Sequence, residues 1–277
     1  MANIVQNFKE LFCFGPFLSY TPRVVKKFSV QLSIQRYTPD QGTLKQAPHL
    51  EIFLIEADDN TTVLDALQQV KDQQDGSVSY RWSCRMGICG SCGMIINGKP
   101  VLACSTYCKD VVKKGFIRIE PMRNMPILKD LIVDIDDPME KMRSVMPYMD
   151  RVDVEEGVPS KQSKKQRERI DQTSQCIKCM LCYSACPVYG QEKDFVGPGA
   201  GALAYRYVAD SRDNATGERL DQLVGEKNSV WGCSFVGECS VACPKRVDPA
   251  KALQRLKVMG SMRMVTKPLT DLLKKKK

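Results

Sequence analysis

The sequence predicts an α+β protein in two units, a small curved sheet carrying one helix over residues 28–132 and an all-α unit over residues 133–277. Three observations carry this expectation. Apolar runs of strand length and an Asn97-Gly98 pair between two of them signal strands and a hairpin in the first half. After residue 121 the strand signals fade and apolar residues recur at helical spacing. The cysteines cluster with two different kinds of spacing, one in each half. A chain of 277 residues with 43% hydrophobic composition is long enough to build two cores of its own.

The elements follow in order. "FSVQLSI" from Phe28 and "EIFLIEA" from Glu51 read as strands. "TTVLDALQQV" reads as a helix, with Thr61 or Thr62 as N-cap and Val63, Leu67 and Val70 on one face. "GMIINGKPVLAC" is the hairpin, and "GFIRIE" supplies a final strand. "PSKQSKKQRER" is a polar, basic connection, and "DPAKALQRLKVM" opens a helix with Asp248 as N-cap and Pro249 at its first position. Six of the 13 methionines fall within residues 122–149, where they read as adaptable core filler.

Thirteen cysteines, odd in number and locally clustered, do not resemble a spread disulfide framework; a reducing compartment and metal ligation fit them better. The single histidine, His49, excludes a bis-histidine haem, a Rieske centre or a histidine-rich zinc site within the chain. In the first half, Cys84, Cys89, Cys92 and Cys104 follow the plant-type spacing for a 2Fe-2S cluster, the fourth thiolate arriving from the hairpin. Gly87, Gly90 and Gly93 suit a loop whose N–H groups must approach sulfur. A zinc knuckle would show paired CxxC elements instead. Cys108 and Cys13 fall outside the pattern and read as plain thiols.

In the second half, "CIKCMLCYSACP" places Cys176, Cys179, Cys182, Cys186 and Pro187 in the C-x2-C-x2-C-x3-C-P order. In two-cluster ferredoxins the first three cysteines of such a run hold one 4Fe-4S cube and the fourth crosses to the other cluster. By that rule Cys243 completes the set of Cys176, Cys179 and Cys182, while Cys186 joins Cys233 and Cys239 of "CSFVGECSVACP". Val236 stands where the remaining thiolate would be, and its isopropyl group cannot ligate iron, so a 3Fe-4S cluster is expected there.

Other features set limits. No run of 18 apolar residues exists, so no helix is expected to span a bilayer. The N-terminal stretch, with Glu10 its only acid before Asp40, lacks a secretory pattern and reads as a docking arm over residues 1–27. The net charge of +9 concentrates at the end: residues 251–277 hold nine Lys/Arg against Asp271, a local +8 suited to a solvated tail or an anionic surface. "GPGAGA" lacks both a preceding strand and the G-x-G-x-x-G order, and there is no Walker lysine or candidate triad. Neither nucleotide chemistry nor a nucleic-acid partner is expected.

"SYRWSCRMGICGSCGMIINGKP", "CIKCMLCYSACP", "SRD" at 211–213 and "CSFVGECSVACPKRVDP", in this order, resemble the iron–sulfur subunits of succinate dehydrogenases and quinol:fumarate reductases. The resemblance implies an N-terminal plant-type ferredoxin (β-grasp) domain followed by an all-α bacterial-ferredoxin-like domain. It implies a partner flavoprotein with FAD that interconverts succinate and fumarate, and a membrane anchor, with or without haem b, where quinone binds near the 3Fe-4S centre. The chain would then lie peripherally on the inner or cytoplasmic membrane, at the cytoplasmic face in bacteria or the matrix face in mitochondria. Lys257 matches a family lysine near the quinone, and Pro187 and Ser234 fall in the same vicinity. Gln191 stands where the family often carries a tryptophan and Ser234 where its ubiquinone enzymes carry a histidine, a departure that favours menaquinone and the fumarate reductase type. The rival readings are the iron–sulfur subunit of a thiol-dependent or glycolate-type oxidoreductase and a structural zinc or cysteine-rich module.

Overall fold

Alternation of apolar and polar side chains builds the first unit. β1 (Phe28–Arg36) and β2 (His49–Ala57) pair antiparallel from Phe28 opposite Ala57 to Arg36 opposite His49. Their inward residues, Val30, Leu32 and Ile34 with Phe53, Ile55 and Ala57, are buried. α1 (Val63–Gln73) lays Val63, Leu67 and Val70 on the same core. Its N-cap is Thr62: the hydroxyl accepts from Asp65 N at 3.1 Å and the Asp65 carboxylate accepts from Thr62 N at 3.1 Å. β3 (Gly93–Ile96) and β4 (Lys99–Leu102) form the hairpin, with positive φ at both Asn97 and Gly98 as a two-residue turn of this kind requires. A 3₁₀ turn over Ala103–Ser105 and the one-turn α2 (Cys108–Val111) lead to β5 (Phe116–Glu120). The sheet order is β2-β1-β5-β3-β4, with β1 and β5 parallel at its centre.

A second, two-stranded sheet follows, β6 (Ile127–Lys129) with β7 (Ile132–Val133), in a stretch where the sequence shows no strand signal. Strands of two and three residues are too short to display a period. Their turn is held by a long-range contact: the buried Asp130 carboxylate accepts from Arg36 Nε at 3.1 Å, Tyr37 N at 3.0 Å and Ser79 N at 2.9 Å.

The computed structural model describes residues 26–39, 47–151, 159–192 and 194–274, with side chains as far as 268. Residues 1–25, with Cys13, and lysines 275–277 lie outside the described residues.

The rest of the described chain is helical: α3 (Asp136–Ser144), α4 (Lys164–Glu168), α5 (Asp171–Ser174), α6 (Leu181–Ala185), α7 (Pro198–Val208), α8 (Thr216–Leu223), α9 (Glu238–Val241) and α10 (Pro249–Lys274). The basic connection therefore contains a turn of helix, capped where Gln166 N donates to Ser163 Oγ at 3.3 Å. α7 is the central element, buried along most of its length and packed against α3, α8 and α10. This explains "GPGAGA": a methyl group at Gly199 would strike the Tyr183 ring, and one at Gly201 the Leu253 side chain. The glycines serve close helix packing, not phosphate binding. Met122, Met125 and Met142 are buried core filler, as their sequence clustering suggests. "SRD" is likewise internal structure, since the Asp213 carboxylate pairs with the fully buried Arg219 guanidinium, which also donates to Met146 O at 3.1 Å and Tyr148 O at 2.6 Å.

Asp248 caps α10 as expected, accepting from Lys251 N at 3.0 Å.

Candidate metal centres

The first thiol group sits at one end of the five-stranded sheet. The loop between α1 and β3 carries Cys84, Cys89 and Cys92, and the turn after β4 brings Cys104 to them. The loop aims its amides at the sulfurs: Ile88 N and Cys89 N reach Cys84 Sγ at 3.3 Å, Met86 N reaches it at 3.5 Å, and Gly87 N reaches Cys104 Sγ at 3.3 Å. These donors, led by Cys89 N–H, lower the Cys84 thiol to about 6, so it is a thiolate at neutral pH. Burial pushes Cys92, beside Cys104 and Cys89, up to about 12. Four free thiols at the plant-type spacing, with N–H groups already turned toward sulfur, fit a 2Fe-2S cluster.

The helical unit divides its seven cysteines into two groups. Cys176, Cys179, Cys182 and Cys243 line one cavity, closed by Met142, Met180 and Val247. Cys186, Cys233 and Cys239 line another, with Phe195 and Leu253 behind them. Burial is the first cause of the raised Cys179 and Cys239 thiols, about 11 and about 12, and it lifts Cys182 well above its ordinary value. The electrostatic neighbours mostly follow the division, Cys179 interacting with Cys243 and Cys176 and Cys239 with Cys186 and Cys233, while Cys182 also feels Cys239 of the other group. Among the described residues no three cysteine, histidine or carboxylate side chains converge on a single-ion site. Thiols grouped in this way, in the C-x2-C-x2-C-x3-C-P order, suit clusters of several irons.

Val236 lies in the wall of the third site, 58% exposed, following Phe235 with its φ of 61°. Ser234 and Pro187 are exposed at the same cavity. Lys257 on α10 donates to Cys233 O at 2.6 Å and Trp231 O at 3.3 Å, which places the lysine behind the same loop. Gln191 lies in the turn after Cys186-Pro187, its N–H donating to Val188 O at 2.9 Å. Cys108 takes no part in any group; it is wholly buried, and burial pushes its thiol up to about 12.

Two features escape the sequence. The first is contact between cluster loops: a Cβ on Gly90 would lie 2.6 Å from Cys179 Cβ and 2.9 Å from Cys179 Cα, so the two backbones meet. The second is apolar exposure beside the first and third thiol groups. Trp82, Met86 and Ile88 are exposed around the first site, and Phe235, Val236 and Val241 around the third. A clue was present in the second feature, because apolar residues inside cysteine loops have no periodic core to join.

Comparison with known proteins identifies the two domains. Residues 31–140 match the family described as a 2Fe-2S iron-sulfur cluster binding domain, and residues 172–247 match a 4Fe-4S dicluster domain. The chain is 46% identical to a fumarate reductase iron-sulfur subunit of Mycobacterium tuberculosis, over 87% of this chain and 96% of that one. It is 44% identical to the corresponding Haemophilus influenzae subunit, over 83% and 92%. A succinate dehydrogenase iron-sulfur subunit of Paracoccus denitrificans is 38% identical over 85% and 89%. A chain of the Mycobacterium smegmatis Sdh1 complex in its apo form shares the fold, with TM-score 0.77, 24% identity and coverage of 86% of this chain and 98% of that one. With cysteine spacing, domain order and near-full-length identity in agreement, the chain belongs to the family of iron–sulfur subunits of fumarate reductases and succinate dehydrogenases.

Proposed function

We propose that the chain relays electrons through three clusters between the FAD of a flavoprotein partner and a quinone at a membrane anchor. Its standing as an electron-transferring iron–sulfur subunit of this oxidoreductase family rests on its relatives and its two matched domains. The finer assignment is ours. Cys84, Cys89, Cys92 and Cys104 hold a 2Fe-2S cluster; Cys176, Cys179, Cys182 and Cys243 hold a 4Fe-4S cluster; Cys186, Cys233 and Cys239 hold a 3Fe-4S cluster. When bound, such clusters supply one-electron redox chemistry, which lets a two-electron flavin reaction meet quinone in single steps.

The observation that carries this reading is the continuity of the three thiol groups. Gly90 touches Cys179 between the first and second, and α6 joins the second to the third. Cys182 lies on it and Cys186 is the residue that ends it. The five-stranded sheet with its parallel central pair supports a β-grasp domain, and the two cysteine groups among short helices support a bacterial-ferredoxin-like one.

Apolar exposure at Trp82, Met86 and Ile88 suits a flavoprotein interface, and that at Phe235, Val236 and Val241 suits the anchor. Among the described residues no helix is long and apolar enough to cross a membrane, in keeping with a peripheral subunit on the cytoplasmic or matrix face. Gln191 and Ser234, in place of tryptophan and histidine, favour menaquinone, with Lys257, Pro187 and Ser234 near it. The complex purified with its partners is expected to contain iron and acid-labile sulfide in near-equal amounts and to show a 3Fe-4S EPR signal when oxidised. Zinc without sulfide would overturn the reading.

A further inference from the structure

α10 grips the Cys233 loop at two points, and only one is a backbone contact. Lys257 Nζ holds Cys233 O at 2.6 Å, while one turn earlier Gln254 Nε2 lies 3.7 Å from Cys233 Sγ, within the range for donation to sulfur. A thiolate can only accept, so the carboxamide must present its nitrogen. Among the described residues the Gln254 side chain has no second hydrogen-bond partner, and it is partly withdrawn from solvent beside Leu253, whose side chain lines the cavity. The polar side chain next to Cys239 is committed elsewhere. Ser240 lies beside the Cys239 thiol, but its single proton goes to Asp248 Oδ1 at 2.6 Å, a charge-assisted bond.

We propose that Gln254 is a positioning residue that sets the reduction potential of the cluster held by Cys186, Cys233 and Cys239, by donating its amide N–H to the Cys233 thiolate. The inference rests on the ligand assignment above and adds to it a residue that ligates nothing. Donation to a ligand sulfur draws electron density from the metal and favours the more negative, reduced state, so the donor raises the potential. α10 is suited to the task because it is the long helix of the unit: the amide and the Lys257 ammonium leave it three residues apart on one face, and together they fix the sulfur and the carbonyl of the same cysteine.

The test uses the native complex and two variants, Gln254→Leu and Gln254→Glu, followed by EPR redox titration of all three clusters. The Glu variant keeps the shape of the side chain and lacks the N–H at neutral pH, so it answers even where Leu hinders assembly. The midpoint of the third cluster is expected to shift downward in both variants and further in Glu, while the other two stay in place. A nitrogen coupling to the oxidised cluster that involves an exchangeable proton, visible in pulsed EPR of the wild type, is expected to vanish. A wild-type complex with no cluster at these cysteines would sink the assignment itself. A cluster that is present, with unmoved midpoints in both variants, would sink the role of Gln254 alone.

Discussion

The two cysteine-bearing units surround the same kind of ligand, a cysteine sulfur, in different ways. The loop at Cys84–Cys92 is largely exposed, and it turns backbone N–H groups onto its sulfurs, so Cys84 is acidic before any metal arrives. The helical unit hides its thiols among Met142, Met180, Phe195 and Leu253, where burial pushes Cys179, Cys182 and Cys239 the other way. Directed dipoles make the first site ready for anions in the free chain; in the second unit the positive charge of bound iron must offset the desolvation. The units also differ in number, with four grouped thiols in the first and seven in the second.

The largest effect expected from breaking this contrast comes from Cys104→Ser. It removes the one ligand delivered by the hairpin, and the 2Fe-2S EPR signal should collapse while both helical-unit signals persist. Loss of the 3Fe-4S signal instead would mean the groups are wrongly divided. Val236→Cys sharpens the contrast in number by restoring C-x2-C-x2-C-x3-C-P. Iron content should rise by one per chain and the oxidised 3Fe-4S signal should give way to a second reduced 4Fe-4S signal. Four irons at this site in anaerobic wild-type protein would show that Val236 is no explanation for the gap.

A smaller effect is expected where the two units touch. Gly90→Ala adds a methyl group against Cys179 at a backbone φ of +76°, at a cost of about 1–3 kcal/mol from strain and overpacking. The melting temperature should fall and electron transfer between the first and second clusters should slow; unchanged values for both would mean the loops are not in contact.

The smallest effect is a matter of pH in the cluster-free protein. A thiol lowered to about 6 is mostly thiolate above that pH and loses its reactivity as pH falls through it. At about pH 7.5, iodoacetamide should therefore modify Cys84 well ahead of Cys92 and Cys239, both near 12. Equal rates, read by mass spectrometry, would erase the contrast between dipoles and burial.

Much of this was determined by sequence alone, because it depends on residues a few positions apart. Apolar runs of strand length located β1 and β2, the Asn97-Gly98 pair located the hairpin, and the x2, x3 and x4 cysteine intervals announced both kinds of cluster loop. The gap at Val236 is legible for the same reason. Tertiary structure alone decided what spans the chain. Asp130 meets Arg36 across 94 positions, Gly90 meets Cys179 where two separately folded loops abut, and Gln254 reaches the sulfur of Cys233 only because α10 packs back across the loop that carries it. Spacing constrains a short loop through chain geometry, but the direction of a side chain toward a distant partner is set by how whole elements pack, and a linear pattern carries no record of that packing.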